Sequence, residues 1–265
     1  MNDTLLEVSG VSKSFDGFKA INNLSIQIAE PELRAVIGPN GAGKTTTIRM
    51  LLNIIQPDEG EVTMLGRPVD LQSLERVGYL PEERGLYAKM KVVEQLAFLA
   101  SIRGLDQKEA TRRAGAWLER VGLTASVQSP TGELSKGMQQ KIQFIGTVIH
   151  DPELLILDEP FSGLDPINQD TLEEIVRDFH QKGTTILFST HLMDQAERLC
   201  ERALKLIEPY PLAPQGGCDI YVVRALLALR RGDHELTNKY LCDAQALGEQ
   251  SRLMESAHQW YLVKA

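Results

Sequence analysis

Gly38-Pro39-Asn40-Gly41-Ala42-Gly43-Lys44-Thr45-Thr46 decides how this chain is read. Two glycines flank four residues and are followed by Lys-Thr, the spacing of a phosphate-binding P-loop. Gly41 and Gly43 allow a tight backbone turn in which successive N–H groups converge on one anion. A helix starting near Lys44 adds the positive end of its dipole. Lys44 is expected to reach the β- and γ-phosphates of a nucleoside triphosphate, and the Thr45 hydroxyl to ligate Mg²⁺. Ala35-Val36-Ile37 before the loop reads as a buried strand, and Ile48-Arg49-Met50-Leu51-Leu52 after it as a helix. That strand–loop–helix context separates a phosphate cradle from an ordinary Gly-rich turn.

The 265 residues are 43% hydrophobic and 24% charged, the profile of a globular protein with one large domain or a domain plus an appendage. A net charge of −8 argues against a broad nucleic-acid-binding face. Cys200, Cys218 and Cys242 lack metal-type spacing and read as reduced cytosolic thiols. Met1-Asn2-Asp3-Thr4 has neither the basic flank nor the apolar core of a signal peptide. No apolar run is long enough to span a bilayer, so membrane involvement is expected to come through a partner.

Leu5 to Ser12 and Ile21 to Ile28 alternate as two strands with Phe15 on the turn between them. An aromatic there either stacks on an adenine ring or caps a small sheet. Gln56 to Gly60 is a turn, and Glu61 to Leu65 and Val77 to Leu80 are short strands leading to the charged loop Pro81 to Tyr87. Helical spacing runs from Val92 to about Ile102 and from about Gln107 to Val121, with Gly104 and Gly122 as stops. A third helix opens at Gly132-Glu133-Leu134-Ser135-Lys136-Gly137-Met138-Gln139-Gln140 and ends near His150, before Asp151-Pro152. Leu154-Leu155-Ile156-Leu157 is the continuous apolar run of a parallel strand covered on both faces. Asp158 then falls at its carboxyl end, where a Mg²⁺ ligand belongs, and Glu159 next to it is placed to orient or deprotonate water. After the turn Gly163 to Pro166 come a helix, Asn168 to Gln181, and a strand, Thr184 to Ser189. His191, just past that strand, either serves structure or hydrogen-bonds the γ-phosphate or the attacking water.

Taken together, residues from about Leu5 to Ile207 resemble the nucleotide-binding subunit of an ATP-binding cassette (ABC) transporter. The most specific element is Leu134-Ser135-Lys136-Gly137-Met138-Gln139, which is similar to that family's signature loop. The resemblance implies an α/β P-loop cassette with a mixed-sheet core, an antiparallel N-terminal β-subdomain and a helical subdomain over residues 86–150. It also implies ATP and Mg²⁺ as ligands, a head-to-tail dimer with a second such subunit, and an integral membrane permease as partner. Localisation is then at the inner face of the plasma membrane through that permease. By position, Phe15 would stack on adenine, and residues Gly38, Pro39, Asn40, Gly41, Ala42, Gly43, Lys44, Thr45 and Thr46 would hold the phosphates. Thr45, Asp158 and Glu82 would serve Mg²⁺, Glu159 would be the base, and His191 the switch. Ser135, Lys136 and Gly137 would face the partner's γ-phosphate, and Asp165 would lie in the loop joining the two sites.

Two departures mark this chain. Glu82 stands where the family usually has Gln, within Gly78 to Tyr87, a stretch similar to bacterial exporters of the sodium-extrusion and drug-resistance kind. Lys136 stands where Gly is commonest, and its side chain is expected to point to solvent. The expected function is ATP hydrolysis that energises an exporter; the alternatives are a soluble ABC ATPase or an ATP-gated adaptor, and Glu159 argues against the latter.

The cassette is assigned to residues 1–208. Glu208 to Gly217 carries three prolines and two glycines, so residues 209–217 read as a linker. Residues 218–265 suggest a short all-α appendage of three helices, either a partial tetratricopeptide-type repeat or an adventitious tail.

Overall fold

The computed structural model describes residues 4–29, 31–83 and 85–192. The expected strand Ala203 to Ile207, the linker and the helical appendage lie outside the described residues.

Two sheets organise the chain. β1 (Thr4–Phe15) and β2 (Phe18–Ala29) form a hairpin closed by Asp16-Gly17, both with positive φ, 47° and 83°. That turn geometry matches the right-handed twist of paired strands, so pairing runs to the turn and places Phe15 opposite Phe18. Phe15 is therefore the last residue of a strand that runs three residues past the expected end at Ser12, not part of the turn. β4 (Glu59–Met64) pairs with β1 and β5 (Arg67–Pro68) with β4, giving the antiparallel order β2-β1-β4-β5. Gly60 makes that pairing possible: its φ is 78°, and a Cβ there would sit 2.4 Å from the Ser9 carbonyl oxygen.

The second sheet is parallel. It comprises β3 (Leu33–Ile37), β6 (Val77–Leu80), β7 (Leu154–Asp158) and β8 (Thr185–Thr190) in the order β3-β8-β7-β6. β7 and β8 are central, and every residue of both is buried. β3, expected to be buried, is half-buried along its whole length because it ends the described sheet and has a neighbour on one side only.

Helix α1 (Lys44–Leu51) lies between the sheets. Its Ile48 and Leu51 join Leu6, Val8 and Ile28 of the antiparallel sheet and Leu154, Ile156 and Leu187 of the parallel one in a single apolar cluster. A one-turn helix absent from the sequence reading, α2 (Leu71–Leu74), is capped by Asp70, which accepts from Ser73 N at 2.7 Å. α3 (Val92–Ser101), α4 (Gln107–Arg120) and α5 (Lys136–Val148) pack together, with Leu96, Ala114, Leu118, Phe144 and Ile145 all inaccessible to solvent. Truncating an aromatic such as Phe144 there costs about 3–5 kcal/mol. α6 (Pro166–Gln181) begins with Asp165 as N-cap and Pro166 in its first turn, and docks on α4 through stacked Trp117 and Phe179 rings. The parallel order carries the carboxyl ends of β3, β7 and β8 to one sheet edge, where residues 38–43, 158–159 and 191 converge.

Candidate functional site

The loop between β3 and α1 is held at both ends. Gly38 N donates to the Thr190 carbonyl at 3.3 Å, tying the loop to the end of β8, and Ala42 N donates to the Pro39 carbonyl at 3.1 Å. Gly43 is the N-cap of α1 in the left-handed conformation, φ 89°. A Cβ on Gly43 would stand 2.5 Å from Ile21 Cδ1 and 3.1 Å from the Ala20 carbonyl oxygen, so β2 leaves room only for glycine. No side chain caps α1, which leaves the first-turn N–H groups of an eight-residue helix aimed at the loop. Lys44 folds back over the loop; its ammonium donates to the carbonyls of Gly38 at 2.8 Å and Pro39 at 3.3 Å.

The end of β7 and the residue after it bring two buried carboxylates. Asp158 is 1% exposed; its Oδ1 accepts from the Ser189 hydroxyl and its Oδ2 has no hydrogen-bond partner. A buried, unpartnered carboxylate oxygen is costly unless a cation or water reaches it. Glu159 has a positive φ of 50°, an outlier for a non-glycine residue. Ser189 holds that strained turn by accepting from Glu159 N with both its hydroxyl, at 3.1 Å, and its carbonyl, at 3.2 Å. The Glu159 carboxylate lies between two partners. Oε2 is 2.9 Å from His191 Nδ1, and Oε1 forms an ion pair with Lys44 Nζ at 3.4 Å without a well-formed hydrogen bond.

Lys44, Asp158, Glu159 and His191 are thus brought together from three elements. The predicted residues outside the P-loop, Ser135, Lys136, Gly137, Asp165, Phe15 and Glu82, belong to other elements and loops. Ser135 is the N-cap of α5 and accepts from Met138 N at 3.3 Å, with Lys136 exposed beside it. Gly137 abuts the start of α6, where a Cβ would meet Asn168 Nδ2 at 2.8 Å. Asp165 accepts from Asn168 N at 3.1 Å, and the amide and side chain of Asn168 hold its carboxyl below the usual range. Phe15 is 43% exposed, with Lys13 Nζ 5.7 Å from its ring centroid. Glu82 is exposed on the loop after β6. Ser189, which touches both carboxylate residues, was missed from sequence; a serine closing an apolar strand carries no signal of its own.

The residues present fit Mg²⁺. Asp158 Oδ2 is an unpartnered buried oxygen, and the Thr45 hydroxyl belongs to the first turn of α1. No group of three or more His, Cys, Asp or Glu that could hold a metal occurs among the described residues. A hard cation here would complete its shell with phosphate oxygens and water, as Mg²⁺ commonly does.

Residues 21–162 match the ABC transporter family model. The chain is 48% identical over 208 residues to the "Uncharacterized ABC transporter ATP-binding protein YhaQ" of Bacillus subtilis, covering 78% of this chain and 70% of that one. It is 36% identical over 231 residues to the "Nod factor export ATP-binding protein I" of Sinorhizobium fredii, covering 83% and 67%. A solved structure described as the "ATP binding subunit of ABC transporter" superposes with a TM-score of 0.69 at 34% identity, over 74% of this chain and 83% of that one.

Proposed function

Because the chain belongs to the ABC transporter family, as an ATP-binding and ATP-hydrolysing subunit, we propose that it powers a membrane exporter whose transport path lies in a separate permease. The observation that carries hydrolysis, beyond binding, is the Glu159 carboxylate held between His191 and Lys44 at the mouth of the P-loop. Export is supported by the similarity to a protein named for Nod factor export. No helix among the described residues is long and apolar enough to cross a membrane, which agrees with a separate membrane partner.

In this reading the loop from Gly38 to Thr46 receives the phosphates, chiefly on the N–H groups of residues 43–46 at the uncapped N-terminus of α1, and Phe15 meets the adenine ring. Lys44 leaves its carbonyl partners to contact the β- and γ-phosphates. Thr45, Asp158 and Glu82 would serve Mg²⁺, which when bound would supply charge stabilisation to the phosphates. Glu159 accepts the proton of the attacking water, while His191 orients that carboxylate and meets the γ-phosphate. Ser135, Lys136 and Gly137 serve the nucleotide held by a second subunit arranged head to tail, with Asp165 between the two sites. The permease docks near Glu82 to Leu86, placing the chain at the inner face of the membrane. Affinity purification of the chain from detergent-solubilised membranes tests this: recovery of an integral membrane protein that raises its ATPase rate is expected. A fully active chain found only in the soluble fraction, with no such partner, would contradict it.

A further inference from the structure

Helix α5 carries polar side chains at positions 140, 143 and 147, the i, i+3, i+7 spacing of one face. Each grips backbone elsewhere. Gln140 Nε2 donates to the Pro160 carbonyl at 2.8 Å, one residue beyond Glu159. Gln143 Nε2 donates to the carbonyls of Glu83 at 2.9 Å and Pro81 at 3.4 Å, the two that flank Glu82. The Thr147 hydroxyl lies 3.3 Å from the Tyr79 carbonyl at the end of β6 and 3.0 Å from that of Gln143. Gln143 is 8% exposed and Thr147 6%, so these are committed bonds inside the molecule.

The contact at Pro160 has a specific physical task. A positive φ at a non-glycine residue costs about 1–3 kcal/mol and persists only where the surroundings over-determine it. Glu159 meets that condition from two sides. Ser189 of β8 holds its N–H, and Gln140 of α5 holds the carbonyl that follows it. The same helix begins at Ser135 and, through Gln143, holds the backbone around Glu82.

We propose that Gln140 and Gln143 are positioning residues: they make α5 a rigid strut that registers both Glu159 and Glu82 against the loop at Ser135. A displacement of that loop is then carried to both carboxylates at once. The proposal rests on Glu159 being the base, and it adds the residues that aim it.

The test uses the full chain with Gln140→Met, Gln140→Lys and Gln143→Met. Methionine keeps the volume and removes the donor; lysine restores an N–H donor of sufficient reach at the half-exposed position 140. Because small misplacement of a reacting group lowers rate far more than binding, Gln140→Met should lower kcat about tenfold with KM and nucleotide affinity within about twofold. Gln140→Lys should recover most of that loss. Amide exchange should quicken across residues 159–162 in Gln140→Met but not in Gln140→Lys, and across residues 81–83 in Gln143→Met. An unchanged kcat in Gln140→Met, or a loss only in step with nucleotide affinity and melting temperature, would overturn the proposal. Failure of the wild-type chain to hydrolyse ATP would instead defeat the functional reading, and the exchange pattern would still decide whether the clamp exists.

Discussion

His191 Nδ1 lies 2.9 Å from Glu159 Oε2, and the other oxygen of the same carboxylate faces Lys44 Nζ at 3.4 Å. One buried carboxylate therefore joins the ends of β7 and β8 to the P-loop. Removing the histidine frees one oxygen to rotate while the lysine still holds the other. His191→Ala is expected to lower ATPase turnover about tenfold or more, since orientation of a general base is lost, with affinity for ADP, which lacks the γ-phosphate, nearly unchanged. Steady-state ATPase assays and equilibrium titration with a fluorescent ADP analogue measure the two quantities separately.

Gly43 and Gly183 make a paired test of the loop. Both have positive φ, 89° and 95°, but a Cβ on Gly43 would meet Ile21 and Ala20, whereas nothing lies near one on Gly183. Gly183→Ala should cost about 1–2 kcal/mol of backbone strain and leave nucleotide binding intact. Gly43→Ala should weaken nucleotide binding about tenfold or more by displacing the N-terminus of α1, as the anion site is made of its N–H groups. Chemical denaturation with nucleotide titration on both variants reads the difference.

His150 predicts an acid limit on stability. Its imidazole, just past the end of α5, is pushed down to about 4, first by burial and then by the Arg103 charge, with a Val77 backbone contact opposing. Neither ring nitrogen has a well-formed hydrogen bond. Between the ordinary histidine value near 6.5 and about 4, the unfolded chain binds the proton that the folded chain refuses. Stability from this group is thus present above pH 6.5 and lost as pH falls toward 4. His150→Asn should flatten the decline in melting temperature across that window; an unaltered slope would remove His150 as its source.

The P-loop was legible because each residue type in it is required by backbone geometry or by charge, and glycine at 43 meets both a φ and a contact constraint. Leu154 to Asp158 was legible for a different reason: a strand buried on both faces admits only apolar side chains up to its functional end. The contact between Glu159 and His191 was not legible, since it depends on β7 and β8 being neighbours across 32 positions of chain. Gln140, Gln143 and Ser189 were silent because an amide on a helix or a hydroxyl at a strand end reads the same whether it faces water or grips backbone. β3 was read as buried from three apolar residues, which cannot reveal that a strand ends its sheet.

Composite sites are tested by mixing variants. Lys44→Ala disables the P-loop and Ser135→Arg blocks the start of α5. If Ser135 acts on nucleotide bound by the other subunit, a heterodimer of the two keeps one intact site. The mixture should regain ATPase activity that neither variant has alone, with size exclusion establishing heterodimer formation. No recovery in demonstrated heterodimers would place Ser135 outside the shared site.

The most direct test of the account is the ATPase rate of Glu159→Gln beside its affinity for nucleotide. The substitution keeps the shape between His191 and Lys44 and removes the proton acceptor. Turnover should fall about 10²–10⁴-fold, the usual loss when a general base is removed, while ATP binding is retained. A Glu159→Gln chain that hydrolyses ATP at the wild-type rate would contradict the assignment of Glu159 as the base and the mechanism built on it.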